Sequence, residues 1–279
     1  MKAVQELAGW LPSGHLKRIC RDFVETELRG FPRTLLQYRD SQLSLSLDMV
    51  LAHYCANRPQ VCFVQVGAFD GISGDPIYPL IEKYGLRGIL VEPQRDAFER
   101  LKITYSSFDP SRFVLVNAAI AAHDGTAFLY RTKPGSPGPD WLPQIASLDL
   151  NVIMSHAHVV PKLASFIERE EVRCITFEHL FREAGIPRVD LLQVDAEGYD
   201  AEIVRLFDVP SRRPAIIHFE HKHLSPTDHG RAVSALVQLK YRFALCGEST
   251  LAYLIPEPDV RDRLTLASTD FSGREAKTI

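Results

Sequence analysis

No apolar run in this chain approaches the ~18 residues that span a bilayer, and its first residues lack the charged-then-apolar pattern of an export signal. A soluble chain that stays in the cytoplasm is the expectation. Clusters of Lys or Arg never exceed two or three residues, and 32 basic side chains face 35 acidic ones for a net charge of −3. Neither nucleic acid nor an anionic membrane is therefore indicated as a partner. Cysteine is sparse: the five are odd in number and show no C-x-x-C pair. That argues against a disulfide framework and for reduced thiols, with Cys62 and Cys246 as small core residues. Also missing is the G-x-G-x-x-G turn with which dinucleotide sites hold a pyrophosphate on a helix N-terminus.

The chain does have a different glycine turn. Residues 61 to 71, Val-Cys-Phe-Val-Gln-Val-Gly-Ala-Phe-Asp-Gly, read as a strand buried on both faces that ends in a tight loop. Gly67 and Gly71, with Gly74 beyond, let the backbone take positive φ and a ligand approach closely. Asp75-Pro76 reads as a helix N-cap followed by Pro at the first helical position, with the helix running to about Tyr84 and stopped by Gly85. Pro79 fits that start poorly and favours a later one. A second strand, Arg87 to Glu92, ends in an acid 25 positions after Gly67, near the spacing at which a carboxylate accepts hydrogen bonds from a ribose. Asp70 would repel a phosphate, whereas S-adenosylmethionine carries a sulfonium and an ammonium and no phosphate. The loop alone thus favours adenosylmethionine over a nicotinamide or flavin nucleotide, with a ligand-free glycine turn as the third reading.

Around this stretch the chain divides into a helical N-terminal cap (1–58), an α/β domain (59–256) and a polar tail (257–279). In the cap, Leu16, Ile19, Cys20, Phe23, Val24 and Leu28 recur at helical spacing before Gly30 and Pro32, and Leu47, Val50, Leu51 and Tyr54 repeat the pattern. A cap on the sheet is the simple reading, and a homodimer contact is the alternative. From Val61 onward strands and helices alternate, which predicts a mostly parallel sheet covered on both faces. Arg112 to Ile120 reads as a third strand, interrupted by Asn117, which either bonds an adenine edge or ends the strand. A turn at His123 to Thr126 leads to a short strand, Ala127 to Tyr130. Lys133 to Pro143 then holds four prolines and two glycines in eleven residues and begins an insertion reaching about Val172, read as a substrate lid carrying Trp141, His156 and His158. His156-x-His158 has no third metal ligand nearby and reads as exposed lid polarity. Arg173 to Phe177 resumes the alternation as a strand, and Tyr241 to Cys246 with Leu251 to Ile255 closes the domain as an antiparallel hairpin.

Strands ending at Gly67, Asp195 and Glu220 read as apolar in their bodies and polar at their carboxyl ends, the edge where open α/β sheets bind ligands. The chain here resembles the FkbM-type methyltransferases. The resemblance rests on Val66-Gly67-Ala68-Phe69-Asp70-Gly71, Val91-Glu92-Pro93, Asn117-Ala118-Ala119-Ile120, Asp124-Gly125 and above all Val189-Asp190-Leu191-Leu192-Gln193-Val194-Asp195-Ala196-Glu197-Gly198-Tyr199. It covers roughly residues 61 to 255 and leaves out the cap and the lid. The family loop more often has Asn at the position of Phe69, and its strand-five ending varies. The resemblance implies a class I methyltransferase fold, a Rossmann-like seven-stranded sheet of order 3-2-1-4-5-7-6. It also implies S-adenosylmethionine as cofactor and O-methylation of a small molecule, sugar, glycolipid or polyketide. An NAD(P)-dependent oxidoreductase and a cofactor-binding module without acceptor chemistry are the competing functions.

Cofactor contacts are expected from Gly67, Ala68, Asp70, Gly71, Glu92, Asn117, Ala118 and Asp195. Methyl transfer to a hydroxyl needs the alcohol oxygen held in line with the sulfonium methyl and its proton removed by a base or by a metal. Asp195, His218, Glu220 and His221 are the catalytic candidates, with His223 a further base. Strand alternation puts His218 and Glu220 on one face and His221 and His223 on the other, unless the strand has ended. Asp195, Glu220 and His221 form a candidate Mg or Mn site. The plain alternative is that these groups pair with backbone, one another or water, with Asp195 and Glu197 holding the cofactor or the loop.

Overall fold

The computed structural model describes residues 45–254 apart from positions 57, 59 and 187. Helix α1 (Leu47–Cys55) is capped by Ser46, whose hydroxyl accepts from Met49 N at 3.3 Å, and it buries Leu47, Val50, Leu51 and Tyr54. The expected helical run Leu16 to Leu28 and the tail from Pro256 lie outside the described residues. Next come β1 (Cys62–Val66), α2 (Tyr78–Tyr84), β2 (Arg87–Val91), α3 (Arg95–Tyr105) and β3 (Phe113–Val116). An excursion follows: β4 (Ala119–Ile120), β5 (Gly125–Thr132), α4 (Leu150–Met154), α5 (Leu163–Phe166) and β6 (Ile167–Ile175). The chain then returns through α6 (Phe177–Ala184), β7 (Leu191–Val194), α7 (Asp200–Leu206), α8 (Val209–Arg212), β8 (Ile216–Glu220), α9 (Pro226–Gln238), β9 (Arg242–Cys246) and β10 (Ser249–Tyr253).

The main sheet has the order β3-β2-β1-β7-β8-β10-β9 and is parallel except at β10, which runs antiparallel to both neighbours. Counted within the sheet this is the expected 3-2-1-4-5-7-6. Because side chains alternate along a strand, the sheet supports two cores. Val64, Val66, Ile89, Val91, Leu192 and Ile217 pack under α6, α7 and α9, while Phe63, Leu90, Leu191 and Ile216 pack under α1, α2 and α3.

Four boundaries differ from the sequence reading. Asp75 is not the N-cap of the helix after the glycine loop: its carboxylate accepts from Ile77 N (2.7 Å) and Tyr78 N (3.1 Å) just ahead of it, but α2 begins only at Tyr78, with Ile77 as N-cap and Pro79, not Pro76, in its first turn. The single strand expected over Arg112 to Ile120 is two. Asn117 and Ala118 break it, and β4 leaves the main sheet to pair with β6. Strand β5 is longer than Ala127 to Tyr130, and β6 begins at Ile167, so the insertion ends before that residue and not at Val172. The strand expected over Arg173 to Phe177 is the end of β6, which runs antiparallel along all of β5.

One buried acid ties α1 to the sheet. Asp190, 4% exposed, accepts from Tyr54 OH (2.8 Å) and Cys62 N (3.0 Å) and pairs with Arg188 at 2.6 Å. Asp190→Ala is expected to cost about 2–4 kcal/mol, because it leaves a buried N–H and hydroxyl without their acceptor. Urea unfolding reads this directly, and a loss below about 0.5 kcal/mol would show that the network carries no stability.

Candidate active site

The loop after β1 folds over the end of β2: Gly67 N and Ala68 N donate to Val91 O at 2.9 and 3.1 Å. Gly67 sits at φ +82, and a Cβ there would lie 1.7 Å from the Asp195 carbonyl oxygen. Only glycine lets the two strand ends meet this closely. Beyond it Phe69 takes φ +47, and its N–H donates to Glu92 Oε2 at 2.8 Å, while Gln94 N donates to Glu92 Oε1 at 2.7 Å. Glu92 is 3% exposed, and burial pushes its carboxyl up to about 7 against the opposing pull of those two N–H groups.

Across the sheet, Asp195 N donates to Val66 O at 2.9 Å, placing the Asp-Ala-Glu-Gly loop beside the glycine loop. Asp200, 1% exposed, shapes that loop by accepting from Ala196 N (3.2 Å) and Gly198 N (3.1 Å). Glu197 is left-handed at φ +46, which turns its side chain toward Glu220 and His223. From the insertion, Ser147 Oγ donates to Glu197 O at 2.8 Å.

Between these loops lies a cavity of about 920 Å³, its open mouth included. The glycine loop, Glu92, Gln94 and Ala118 line one side, Asp195 to Glu197 another, and Gln144, Ala146 and Leu148 of the insertion the roof. Acids dominate its electrostatics. Burial, then the Asp75 charge, raises Asp195 to about 6; burial, then the Asp195 charge, raises Glu197 to about 8 and Glu220 to about 9. Lys222, paired with Glu248 at 2.8 Å, is the cation that opposes these shifts.

Gly67, Ala68, Glu92, Ala118 and Asp195 line the cavity. Asp70, Gly71 and Asn117 do not. The Asp70 carboxylate accepts from Ile72 N, Ser73 N and Ser73 Oγ (2.7–3.1 Å), closing its own turn. Gly71 packs on Leu101 and Tyr105, and Asn117 Nδ2 donates to the backbone oxygens of Glu92 (2.8 Å) and Pro93 (3.1 Å). His218 is buried within the sheet, with Nδ1 donating to Gln193 Oε1 at 2.6 Å, and burial pushes its pKa down to about 4. His221 is buried as well, bonded to Thr250 Oγ1 (3.0 Å) and stacked on His229. Asp195, Glu220 and His221 are therefore not brought together. Among the described residues, the group with metal-ligand spacing is Glu197, Glu220 and His223. Strand β8 ends at Glu220, so alternation no longer applies, and His223 swings back to within 4.0 Å of it.

Polar groups at the cavity that escaped the sequence reading as site residues include Gln65, Asp75, Gln94 and Gln144. Asp75 accepts from Gln65 Nε2 at 3.0 Å, and both line the cavity, as do Gln94 and Gln144. The sequence carried a signal for Gln65 alone: a Gln inside an otherwise apolar strand needs a polar partner.

A seven-stranded sheet in this order, with a cavity across the carboxyl ends of β1, β2 and β7, defines a class I methyltransferase fold. The model of the FkbM methyltransferase domain family matches residues 65–243, and the chain belongs to that family. No curated protein sequence matches it. Among solved structures it is similar to the FkbM methyltransferase of Methylobacillus flagellatus KT, with 13% identity and a TM-score of 0.46, covering 91% of this chain and 58% of that one. It is also similar to the N-terminal domain of human METTL16 (11% identity, TM-score 0.37, 88% and 72% covered). A third similar structure is M. capricolum TrmK in complex with S-adenosylhomocysteine (8% identity, TM-score 0.34, 82% and 84% covered). Among the described residues no helix is long and apolar enough to cross a membrane.

Proposed function

We propose that this methyltransferase moves the methyl group of S-adenosylmethionine to a hydroxyl of a small, glycan or lipid-linked acceptor, using Asp195 as the base. The observation that carries the reading is the shared cavity. A buried carboxylate at the end of β2 and a second acid at the end of β7 face one space under the insertion. Glu92 would accept from the ribose hydroxyls, its oxygens having lone pairs beyond those given to Phe69 N and Gln94 N. Gly67 and Ala68 line the same cavity, where the methionine portion would lie. Asp195 lies opposite, under the roof formed by Gln144, Ala146 and Leu148, where an acceptor would enter. Its carboxylate would take the acceptor's hydroxyl proton, and S-adenosylmethionine, when bound, would supply the electrophilic methyl group.

Calorimetry with S-adenosylhomocysteine and with NADH, followed by transfer of labelled methyl to a panel of hydroxyl acceptors, tests this reading. Binding of S-adenosylhomocysteine and base-stable label on an acceptor oxygen are expected. Binding of NADH alone would replace the reading with an oxidoreductase, and cofactor binding without turnover on any acceptor would replace it with a binding module. Cofactor affinity should also depend on pH. The ribose hydroxyls donate to an ionised Glu92, which is about half ionised near pH 7. The dissociation constant for S-adenosylhomocysteine is expected to rise about tenfold as pH falls from 8 to 6, following the ionised fraction. Glu92→Gln, which has no carboxylate to titrate, should bind weakly with a flat profile. A flat profile in the unaltered protein would remove Glu92 from the ribose contact.

A further inference from the structure

Beside the cofactor cavity, on the side of Glu197 that faces β8, three side chains from two loops converge. His223 Nε2 lies 3.2 Å from Glu197 Oε2 and 4.0 Å from Glu220 Oε2, and one ligand atom from each residue falls within 4.8 Å of the other two. The Oε2 atoms of both glutamates are buried, and neither has a hydrogen-bond partner. The 3.2 Å approach of His223 thus brings the atoms together without hydrogen-bond alignment. A buried carboxylate oxygen normally finds a donor, and two such oxygens aimed at one point lack the positive charge that would hold them there. Lys222, the nearby cation, is committed to Glu248.

We propose that Glu197, Glu220 and His223 bind a divalent first-row metal ion. Two ligands each about 2.1 Å from one ion lie roughly 3.0 Å apart at a right angle and roughly 4.2 Å apart across it. The two measured distances from His223 Nε2 fall in that range. Two carboxylate oxygens with one imidazole nitrogen suit manganese, iron or zinc better than magnesium or calcium, which prefer all-oxygen shells. Three protein ligands leave positions open for water or for an oxygen of a bound molecule. The neighbouring rings fit a fixed His223: His156 of the insertion packs on it at 5.1 Å between centroids, and Trp141 packs on His156 at 5.4 Å. A metal here would tie the Asp-Ala-Glu-Gly loop to the end of β8. The inference rests on these side chains and not on methyl transfer, so it stands or falls separately from the reading above.

The test uses the full chain stripped with chelator and then titrated with Mn²⁺, followed by electron paramagnetic resonance of the free ion, with Zn²⁺ as a competitor. One Mn²⁺ per chain, displaced by Zn²⁺, is expected, together with a rise in melting temperature. Glu220→Gln and His223→Gln keep the size of each side chain and should each weaken binding at least tenfold and abolish the melting shift. If the unaltered protein takes up no Mn²⁺ or Zn²⁺ and its melting temperature does not move, the proposal is overturned without recourse to any variant. Equal binding by both variants, with far-UV circular dichroism unchanged, would place the ion elsewhere and overturn it as well.

Discussion

Gly67→Ala is expected to lose about 3–5 kcal/mol of stability and, with it, binding of S-adenosylhomocysteine, because a left-handed non-glycine residue and an overpacked contact add together here. The added methyl group would sit 1.7 Å from a backbone oxygen, that of Asp195, and backbone cannot rotate away as a side chain would. Relief requires β1 and β7 to separate at the end where they carry the cavity. Gly85→Ala is the control. It too is left-handed, at φ +64, but nothing lies within 4 Å of the position a Cβ would take. Its cost should stay near about 1 kcal/mol, the conformational part alone, with cofactor binding kept. Urea unfolding with calorimetry on both variants separates the two terms. Equal losses would mean that the approach of the two loops is not tight in solution.

Asp195→Asn is expected to lower kcat about 10²–10⁴-fold, the usual worth of a positioned base, while S-adenosylhomocysteine affinity changes little. Asparagine has the shape of aspartate, so the contact between Gly67 and the backbone of residue 195 survives and the cavity keeps its form. On the proposed reading, what is lost is the capacity to take the hydroxyl proton. An unchanged cofactor affinity beside a fall in kcat distinguishes this from a folding defect, which would reduce both. A kcat within tenfold of the unaltered enzyme would move the base role to another group, with Glu197, which lines the same cavity, the next candidate by position.

The mostly parallel sheet and the carboxyl-end location of the cavity were legible because they follow from apolar runs punctuated by Gly67, Glu92, Asp195 and Glu220, and burial enforces such patterns strongly, whereas the strand order was implied by the family resemblance alone. The charged first part of strand β6 was not legible, since Ile167-Glu-Arg-Glu-Glu-Val is mostly half-buried or exposed and reads as loop until its partner β5 is known. At the site, residue type was readable and direction was not. A left-handed Glu197 points where alternation would not send it, and His223 regains the Glu220 side only because the strand stops. His218 looked like a strand-end base, yet its partner Gln193 belongs to the neighbouring strand at the same register, a pairing visible only once the strands are side by side. Asp70 and Asn117 carried the right chemistry for a ligand but met closer backbone partners first.

Ser147 gives the insertion a consequence for how acceptor preference would diversify. It exchanges two backbone hydrogen bonds with Tyr130, at 2.9 and 3.0 Å, and its hydroxyl holds the Glu197 carbonyl. It acts as a rivet between the hairpin arm and the acid loop. The stretches on either side reach the acid loop by routes of their own, Val152 against Gly198 and His156 against His223, while Gln144 and Ala146 line the roof beside Ser147. On the proposed reading, acceptor preference would be rewritten at the roof residues Gln144, Ala146 and Leu148 around a fixed serine, and not by replacing the whole lid.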